Sequence, residues 1–257
     1  MNIILSGCNG KMGQCIFNNI QKFENFKVIL GIDKNTSINN NYNFPVLNSL
    51  DYDYYNKKLS NINNLILIDF SHPSMLNNIL DFCLKTKIPA VICTTGYSED
   101  QISQIRDASN NIPVFYSQNM SIGVNLLVNL AKKAVEFLGP DFDIEIIEKH
   151  HNQKIDAPSG TAYMIANEIS ENLSNYKYVF DRTNTNSKRI KNEIGIHSVR
   201  AGSICGDHEV IFAGPNEIIS VSHHAQSRDI FAIGALRATK FLISQKPGLY
   251  NMKNLIN

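Results

Sequence analysis

Between His150 and Asp156 the chain gathers two imidazoles, an ammonium and a carboxylate: His150, His151, Lys154 and Asp156. Histidine titrates near neutral pH and can give or take a proton as bonds change. Lysine supplies a cation suited to a carboxylate. Directly after this cluster, Pro158-Ser159-Gly160-Thr161 precedes an apolar repeat at Ala162, Ile165, Ala166, Ile169 and Leu173, which predicts a helix start. The first turn of a helix carries unpaired N–H groups that bind anions. A proton donor, a cation and an anion cradle in one stretch point to acid–base chemistry on a small, negatively charged substrate. Each residue taken singly has a plainer reading: a surface imidazole, a solvated lysine, or Ser159 as an N-cap and nothing more. The density of the run favours chemistry.

The elements that must hold this loop are legible on either side. Asp143 to His150 alternates acidic and apolar residues as a half-buried strand does, so the cluster lies between a strand and a helix. A second candidate site opens the chain. Ile3 to Ser6 is a short apolar strand, Gly7-Cys8-Asn9-Gly10-Lys11-Met12-Gly13 is a glycine turn, and Ile16, Ile20 and Phe23 continue as a helix. A dinucleotide fold begins this way, with the pyrophosphate on the helix N-terminus. Asp33 ends the next strand, Phe26 to Ile32, twenty residues beyond Gly13, where an acidic residue bonds the ribose hydroxyls. The turn reads Gly-x-x-Gly-x-x-Gly, not the usual Gly-x-Gly-x-x-Gly.

Leu65 to Phe70 is a near-continuous apolar run, as expected of a strand buried on both faces of a parallel sheet. Pro73 suits a first helical turn, Pro89 to Cys93 is another strand, and Ser98 with Gln101 forms a capping box for the helix through Ile102 and Ile105. Val114 to Ser117 is a further strand. Ligands of open α/β sheets bind beyond the carboxyl ends of the strands, so Gly7 to Gly13, Ser71, Thr94, Thr95 and Asn119 are expected to line one crevice. After a helix through Val124, Leu127, Val128, Ala131 and Val135 the rhythm changes. Residues 174–192 read as a polar loop. Three strands then follow without intervening helices, Ile194 to Val199, Glu209 to Phe212 and Ile218 to His223, which predicts antiparallel pairing in a second, mixed-sheet domain. A last helix is expected from Ser227 to Pro247-Gly248. Residues 34–64 read as a variable loop with a short helix.

Composition narrows the class. The 257 residues carry a formal net charge of +1, and without a basic block or aromatic–basic interleaving there is no reason to expect nucleic acid. Met1-Asn2-Ile3-Ile4-Leu5-Ser6-Gly7 has neither the basic n-region nor the long apolar run of a signal peptide, and no window approaches the length of a membrane span, so neither is expected. The five cysteines, Cys8, Cys15, Cys83, Cys93 and Cys205, are odd in number and widely spaced, as in a reduced cytoplasmic protein.

At Glu148-x-His150-His151-x-x-Lys154-x-Asp156-x-Pro158-Ser159-Gly160-Thr161-Ala162 the chain resembles the 4-hydroxy-tetrahydrodipicolinate reductase (dihydrodipicolinate reductase) family. Gly7-x-x-Gly10-x-Met12-Gly13, Asp69-Phe70-Ser71, Thr94-Thr95-Gly96, Asn119-x-Ser121-x-Gly123-Val124-Asn125 and Val199-Arg200-Ala201-Gly202 follow in the family's order, so the resemblance covers essentially the whole chain. It implies an α/β protein: a Rossmann-like parallel-sheet dinucleotide domain from residues 1–121 and 230–257, and an α+β mixed-sheet domain, 122–229, for substrate binding and tetramerisation. It implies reduction of 4-hydroxy-tetrahydrodipicolinate with loss of water, in lysine and diaminopimelate biosynthesis. NADH or NADPH, not covalently bound, would donate hydride to the C4 side of a cyclic dicarboxylate, in a cytoplasmic homotetramer with no metal. By matching position, His150 would be the acid/base residue and Lys154 the second proton donor, while His151, Gly160 and Thr161 hold the substrate. The cofactor would lie against Gly7, Cys8, Asn9, Gly10, Lys11, Met12, Asp33, Cys93, Thr94, Thr95, Gln118, Asn119, Met120 and Ser121.

Three positions depart from the family pattern. His72 stands where relatives often have arginine beside the cofactor, Cys93 replaces a glycine before Thr-Thr, and Gln153 replaces a third histidine seen in some relatives. Asp33 favours a free ribose hydroxyl whereas Lys34 could pair a 2′-phosphate, which leaves the coenzyme open. Asp156 could orient the loop or make a purely structural hydrogen bond. Three other functions compete. A metal enzyme could draw on His150, His151, His197, His208, His223 and His224, although no ligand-type spacing appears. A nucleotide-sensing module would bind NAD(P)H without turnover. A related imine or amino-acid reductase would use the same carboxylate cradle.

Overall fold

A computed structural model of the chain describes residues 1–36, 42–171, 173, 175–183 and 186–256. Strand β1 (Asn2–Ser6) leads through the glycine turn into α1 (Lys11–Asn19), followed by β2 (Lys27–Ile32), the short β3 (Val46–Leu47) and one helical turn, α2 (Tyr52–Tyr54). The stretch expected as a variable loop with a short helix thus holds that helix and, in addition, a short strand; residues 37–41 of it lie outside the described residues. Next come β4 (Leu65–Asp69), α3 (Leu76–Thr86), β5 (Ala90–Ile92), α4 (Glu99–Ser109) and β6 (Pro113–Tyr116). Ser98 and Gln101 form the capping box of α4, and His72 caps the 3₁₀ turn at Pro73 by accepting from the Ser74 N–H.

Helix α5 (Ile122–Leu138) precedes β7 (Asp143–His150), α6 (Gly160–Ser170), β8 (Lys177–Val179), β9 (Glu193–Arg200), β10 (Gly206–Gly214) and β11 (Glu217–Ala225). The expected loop at 174–192 therefore contains β8; residues 174, 184 and 185 lie outside the described residues. The chain closes with α7 (Asp229–Leu242), β12 (Gly248–Tyr250) and α8 (Met252–Ile256). The last long helix stops at Leu242, short of Pro247, because Gly248 to Tyr250 pair in parallel with Pro113 to Phe115 of β6.

The chain divides into two compact units, Met1–Ile122 with Arg228–Asn257, and Gly123–Ser227. The first is built on an all-parallel sheet in the order β12-β6-β5-β4-β1-β2-β3. Both of its faces are covered. Ile3, Leu5, Ile66 and Ile68 pack with Ile16 of α1 and Ala235 and Leu236 of α7, whereas Ile4, Leu65 and Leu67 pack with Leu76 and Ile79 of α3 and Ile105 of α4. Burial on both faces explains why these strands are apolar runs without alternation. Strand order reverses between β1 and β4, and Ser6 pairs with both Ile32 and Asp69, so three carboxyl ends lie in one row at the switch point.

The second unit has a five-stranded sheet in the order β11-β10-β7-β9-β8. Here the expected antiparallel succession is only partly observed. β10 and β11 form an antiparallel hairpin, but β9 runs parallel to β7 and β8, and β7 lies between β9 and β10. The connection between β9 and β10 thus spans the central strand. Helices α5 and α6 supply Leu127, Ala131, Ile165 and Ile169 to a core against Ile144, Ile146, Ile196 and Phe212.

Candidate active site

In the first unit the carboxyl ends of β1, β2 and β4 border a cleft of about 260 Å³ lined by Ser6, Gly7, Gly10, Asp33, Ser71 and His72, among others. A second cleft, lined by Met12, Cys93, Thr94, Thr95, Gln118, Met120 and Arg228, shares Phe70, Ser71 and His72 with it. The two are lobes of one crevice. Its floor is set by Asp69, fully buried, whose carboxylate accepts from Ser71 Oγ (2.5 Å), Thr94 Oγ1 (2.7 Å) and Tyr97 Oη (3.3 Å).

The glycine turn fits a phosphate group. Gly7 has φ +76°, and a Cβ there would stand 2.4 Å from the Phe70 carbonyl oxygen; at Gly13 it would stand 2.3 Å from the Gly7 carbonyl oxygen. Only glycine allows the turn to lie this close to β4 and to α1. Helix α1, unlike α4 and α6, has no side-chain cap, and its first turn has no acidic residue, so its orphan N–H groups remain for an anion. Asp33 is braced by the Asn9 and Asn35 N–H groups, at 3.0 and 3.2 Å. The crevice therefore gathers Gly7, Gly10, Met12, Asp33, Cys93, Thr94, Thr95, Gln118 and Met120. Cys8, Asn9, Lys11, Asn119 and Ser121 are not in its lining. Cys8 is buried against Gly31, and burial followed by the Asp33 charge pushes its thiol up to about 11, which makes it inert. Asn119 folds back on the backbone, its Oδ1 accepting from the Ser121 N–H.

In the second unit, β7 alternates strictly, with Ile144, Ile146, Glu148 and His150 buried. That alternation carries a carboxylate and an imidazole inward on the face that holds the core. Glu148 is fully buried and saturated. His150 Nδ1 lies 2.5 Å from Oε2, Arg200 forks onto both oxygens at 2.8 and 2.6 Å, and the Ser159 N–H donates to Oε1 at 3.1 Å. Burial alone would raise this carboxyl, but hydrogen bonds from His150, Arg200 and Ser198 outweigh it and hold the group well below the usual carboxylate range. Glu148 is thus a fixed anion.

Ser159 caps α6 by accepting from the Ala162 N–H, and its hydroxyl lies 3.1 Å from His208 Nε2. His208 stacks edge-on to His150 at 5.2 Å; burial, then the charge of His150, pushes it down to about 4, so it is neutral near pH 7. Lys154 Nζ is 2.8 Å from Asp156 Oδ1. Burial tends to raise Asp156, but Lys154 and the backbone N–H groups of Asp156 and Gly160 lower it further. Gly160 and Thr161 form the first turn of α6, and His151 is half-buried where β7 ends. The structure therefore brings His150, Ser159 and the start of α6 together through Glu148.

Glu148, Arg200 and His208 carry this arrangement, and the loop motif alone did not reveal their roles. The signal that could have found Glu148 is the period of β7, which sets it on the same face as Ile144 and Ile146, where a buried carboxylate requires cationic or N–H partners. No local signal pointed to Arg200, which reaches Glu148 because it pairs with His150 in the register of β7 and β9. Among the described residues, no group of three or more His, Cys, Asp or Glu is placed to hold a metal ion. The histidines are dispersed, with His197 on Glu145 and His224 on Asp207. Again among the described residues, no helix is long and apolar enough to cross a membrane.

Comparison with known proteins covers the whole chain. Residues 1–120 match the family described as dihydrodipicolinate reductase, N-terminus, and residues 123–256 match its C-terminus. The 4-hydroxy-tetrahydrodipicolinate reductase of Clostridium tetani is 46% identical over 100% of this chain and 97% of the relative. That of Caldanaerobacter subterraneus subsp. tengcongensis is 48% identical over 100% and 98%. Among solved structures, dipicolinate-bound dihydrodipicolinate reductase from Paenisporosarcina sp. TG-14 superposes with a TM-score of 0.80 at 26% identity, covering 99% of this chain and 98% of that one. With both units matched in order by one family and the relatives aligned from end to end, this chain belongs to the dihydrodipicolinate reductase family.

Proposed function

We propose that the protein is the NAD(P)H-dependent oxidoreductase that converts 4-hydroxy-tetrahydrodipicolinate to tetrahydrodipicolinate with loss of water, in lysine and diaminopimelate biosynthesis. The observation that carries this is the intact His150–Lys154 loop at the start of α6, in a chain similar to such reductases along its full length. The unit Met1–Ile122 with Arg228–Asn257 binds the coenzyme, and Gly123–Ser227 holds the substrate. When bound in the crevice, the reduced nicotinamide supplies a hydride. Lys154 and the start of α6 at Gly160 and Thr161 hold the substrate carboxylates, which take over from Asp156 the Lys154 ammonium and the Gly160 N–H, and His151 flanks them. His150 supplies the proton that accompanies the hydride, and Lys154 is the second donor. A small cyclic dicarboxylate matches this set of one ammonium and one helix start.

The protein acts as a cytoplasmic homotetramer in this reading. Support for self-association comes from β11, an edge strand that exposes Ile218 and Ile219, and from Leu126 and Leu130 on α5. Exposed apolar side chains along an unpaired edge favour covering by another chain.

The test is oxidation of NADH and NADPH, in parallel, with substrate generated from pyruvate and aspartate semialdehyde by the preceding enzyme. Turnover is expected with one or both. His150→Gln should lower kcat by roughly 10²- to 10⁴-fold with coenzyme affinity kept. A near-wild-type rate in that variant removes His150 from the chemistry, and no turnover in coenzyme-binding wild type means a different carboxylate substrate.

A further inference from the structure

We infer that Glu148 is the positioning residue of the site: it fixes the His150 proton on Nδ1 and so makes Nε2 the atom that exchanges a proton with substrate. The inference rests on the reading of His150 as the acid, but its geometry stands apart from activity. Glu148 is held anionic by its hydrogen bonds. An anion accepts only, so the nitrogen that lies 2.5 Å from Oε2, Nδ1, must carry the hydrogen. In free imidazole the Nδ1–H tautomer is the minor one; here the carboxylate imposes it. His150 Nε2 has no hydrogen-bond partner among the described residues. It faces Gly206, where even a Cβ would stand only 3.1 Å away, so a side chain at that position would crowd it. The charged and titratable groups around the ring come from three strands: the Glu148 carboxylate on β7, the Arg200 guanidinium on β9, and neutral His208 on β10.

The same carboxylate also binds the Ser159 N–H, so one buried group sets the aim of the acid and the position of the α6 start. A structural ion pair would need neither the short bond to Nδ1 nor the open Nε2. The other contacts of Glu148 predict what an amide does in its place. Oε1 receives the Arg200 Nη2 and Ser159 N–H donors, whereas Oε2 receives Arg200 Nη1 and His150 Nδ1. A glutamine NH₂ at the Oε1 position would meet two donors that cannot give way. At the Oε2 position it meets one, and it can donate to His150 Nδ1 if the imidazole moves its proton to Nε2. The amide therefore settles with NH₂ toward the ring and inverts the tautomer. The imidazolium then has Nδ1–H pointing at a donor, which disfavours the acid form.

The test is ¹⁵N–¹H long-range correlation on the imidazoles of the full-length protein, with His150 assigned by comparison with His150→Gln. In wild type, neutral His150 is expected with Nδ1 protonated and Nε2 bare. Glu148→Gln should invert that pattern and lower kcat about 10- to 100-fold while leaving the Kd for NADH within about twofold. A wild-type His150 protonated on Nε2 overturns the inference without any variant. So does a Glu148→Gln protein that keeps the Nδ1–H tautomer, or one that inverts it at full rate. If His150→Gln were fully active while the wild-type tautomer is as stated, the catalytic reading would fail and the positioning geometry would stand.

Discussion

Replacing Arg200 with methionine keeps an unbranched apolar stem and deletes the guanidinium that faces Glu148. The loss can be worked from the contacts. Arg200 places one hydrogen bond on each Glu148 oxygen, at 2.8 and 2.6 Å, and a third on the Asp156 carbonyl at 2.6 Å, while the carboxylate is fully buried. Removing one partner of a buried pair costs about 3–5 kcal/mol because the other charge stays behind. His150 and the Ser159 N–H still bond to Glu148, so the lower end, about 3 kcal/mol, is expected. Glu148 titrates below its ordinary value of 4.5 in the folded protein. A lowered carboxyl contributes stability above the unfolded pKa and loses it as pH falls toward the folded one. In Arg200→Met, burial is no longer outweighed by the fork, the carboxyl rises, and protonation at low pH relieves the unpaired charge. The penalty is therefore largest near neutral pH and shrinks toward about pH 4.5. Amide hydrogen exchange on peptides covering β7 and β9 reads this locally: protection should fall about 10²-fold near neutral pH, as about 1.4 kcal/mol per tenfold requires, and clearly less near pH 4.5. A change below about fivefold, or the same loss at both pH values, would refute the account of Glu148 as a buried anion held by Arg200.

Two further outcomes concern the crevice. Gly13→Ala places a methyl group 2.3 Å from the Gly7 carbonyl oxygen and 2.5 Å from that of Cys8, so the glycine turn must part from α1. NADH affinity by fluorescence titration should fall at least about tenfold, with overpacking of about 1–3 kcal/mol appearing in the melting temperature; unchanged affinity would mean the turn does not cradle the coenzyme. Asp33→Ala removes the anion at the end of β2, braced by Asn9 and Asn35, and leaves Lys34 beside the cleft. The NADPH-to-NADH ratio of kcat/KM should rise about tenfold, or about 1.4 kcal/mol, and an unchanged ratio would show that Asp33 does not read the ribose.

What the sequence determined by itself is what local patterns encode. The strand, glycine turn and helix at residues 3–23, the apolar run of β4, the Ser98–Gln101 capping box and the Ser159 start of α6 follow from periodicity and capping chemistry within a few residues. The loop from His150 to Thr161 was legible for the same reason, as donors, cation and anion cradle are neighbours in the chain. Tertiary structure decided whatever depends on partners far along it. Antiparallel pairing was the natural expectation for consecutive strands, yet β7 inserts between β9 and β10, since pairing is chosen by which faces bury together and not by adjacency in sequence. β12 was hidden because three residues acquire strand character only by pairing with the edge of β6. Arg200 lies 52 residues from Glu148, and only the register that sets it opposite His150 makes it the partner of a buried carboxylate. The sequence supplied the His150 imidazole, whereas the sheet determined which anion holds it and which of its nitrogens is left open.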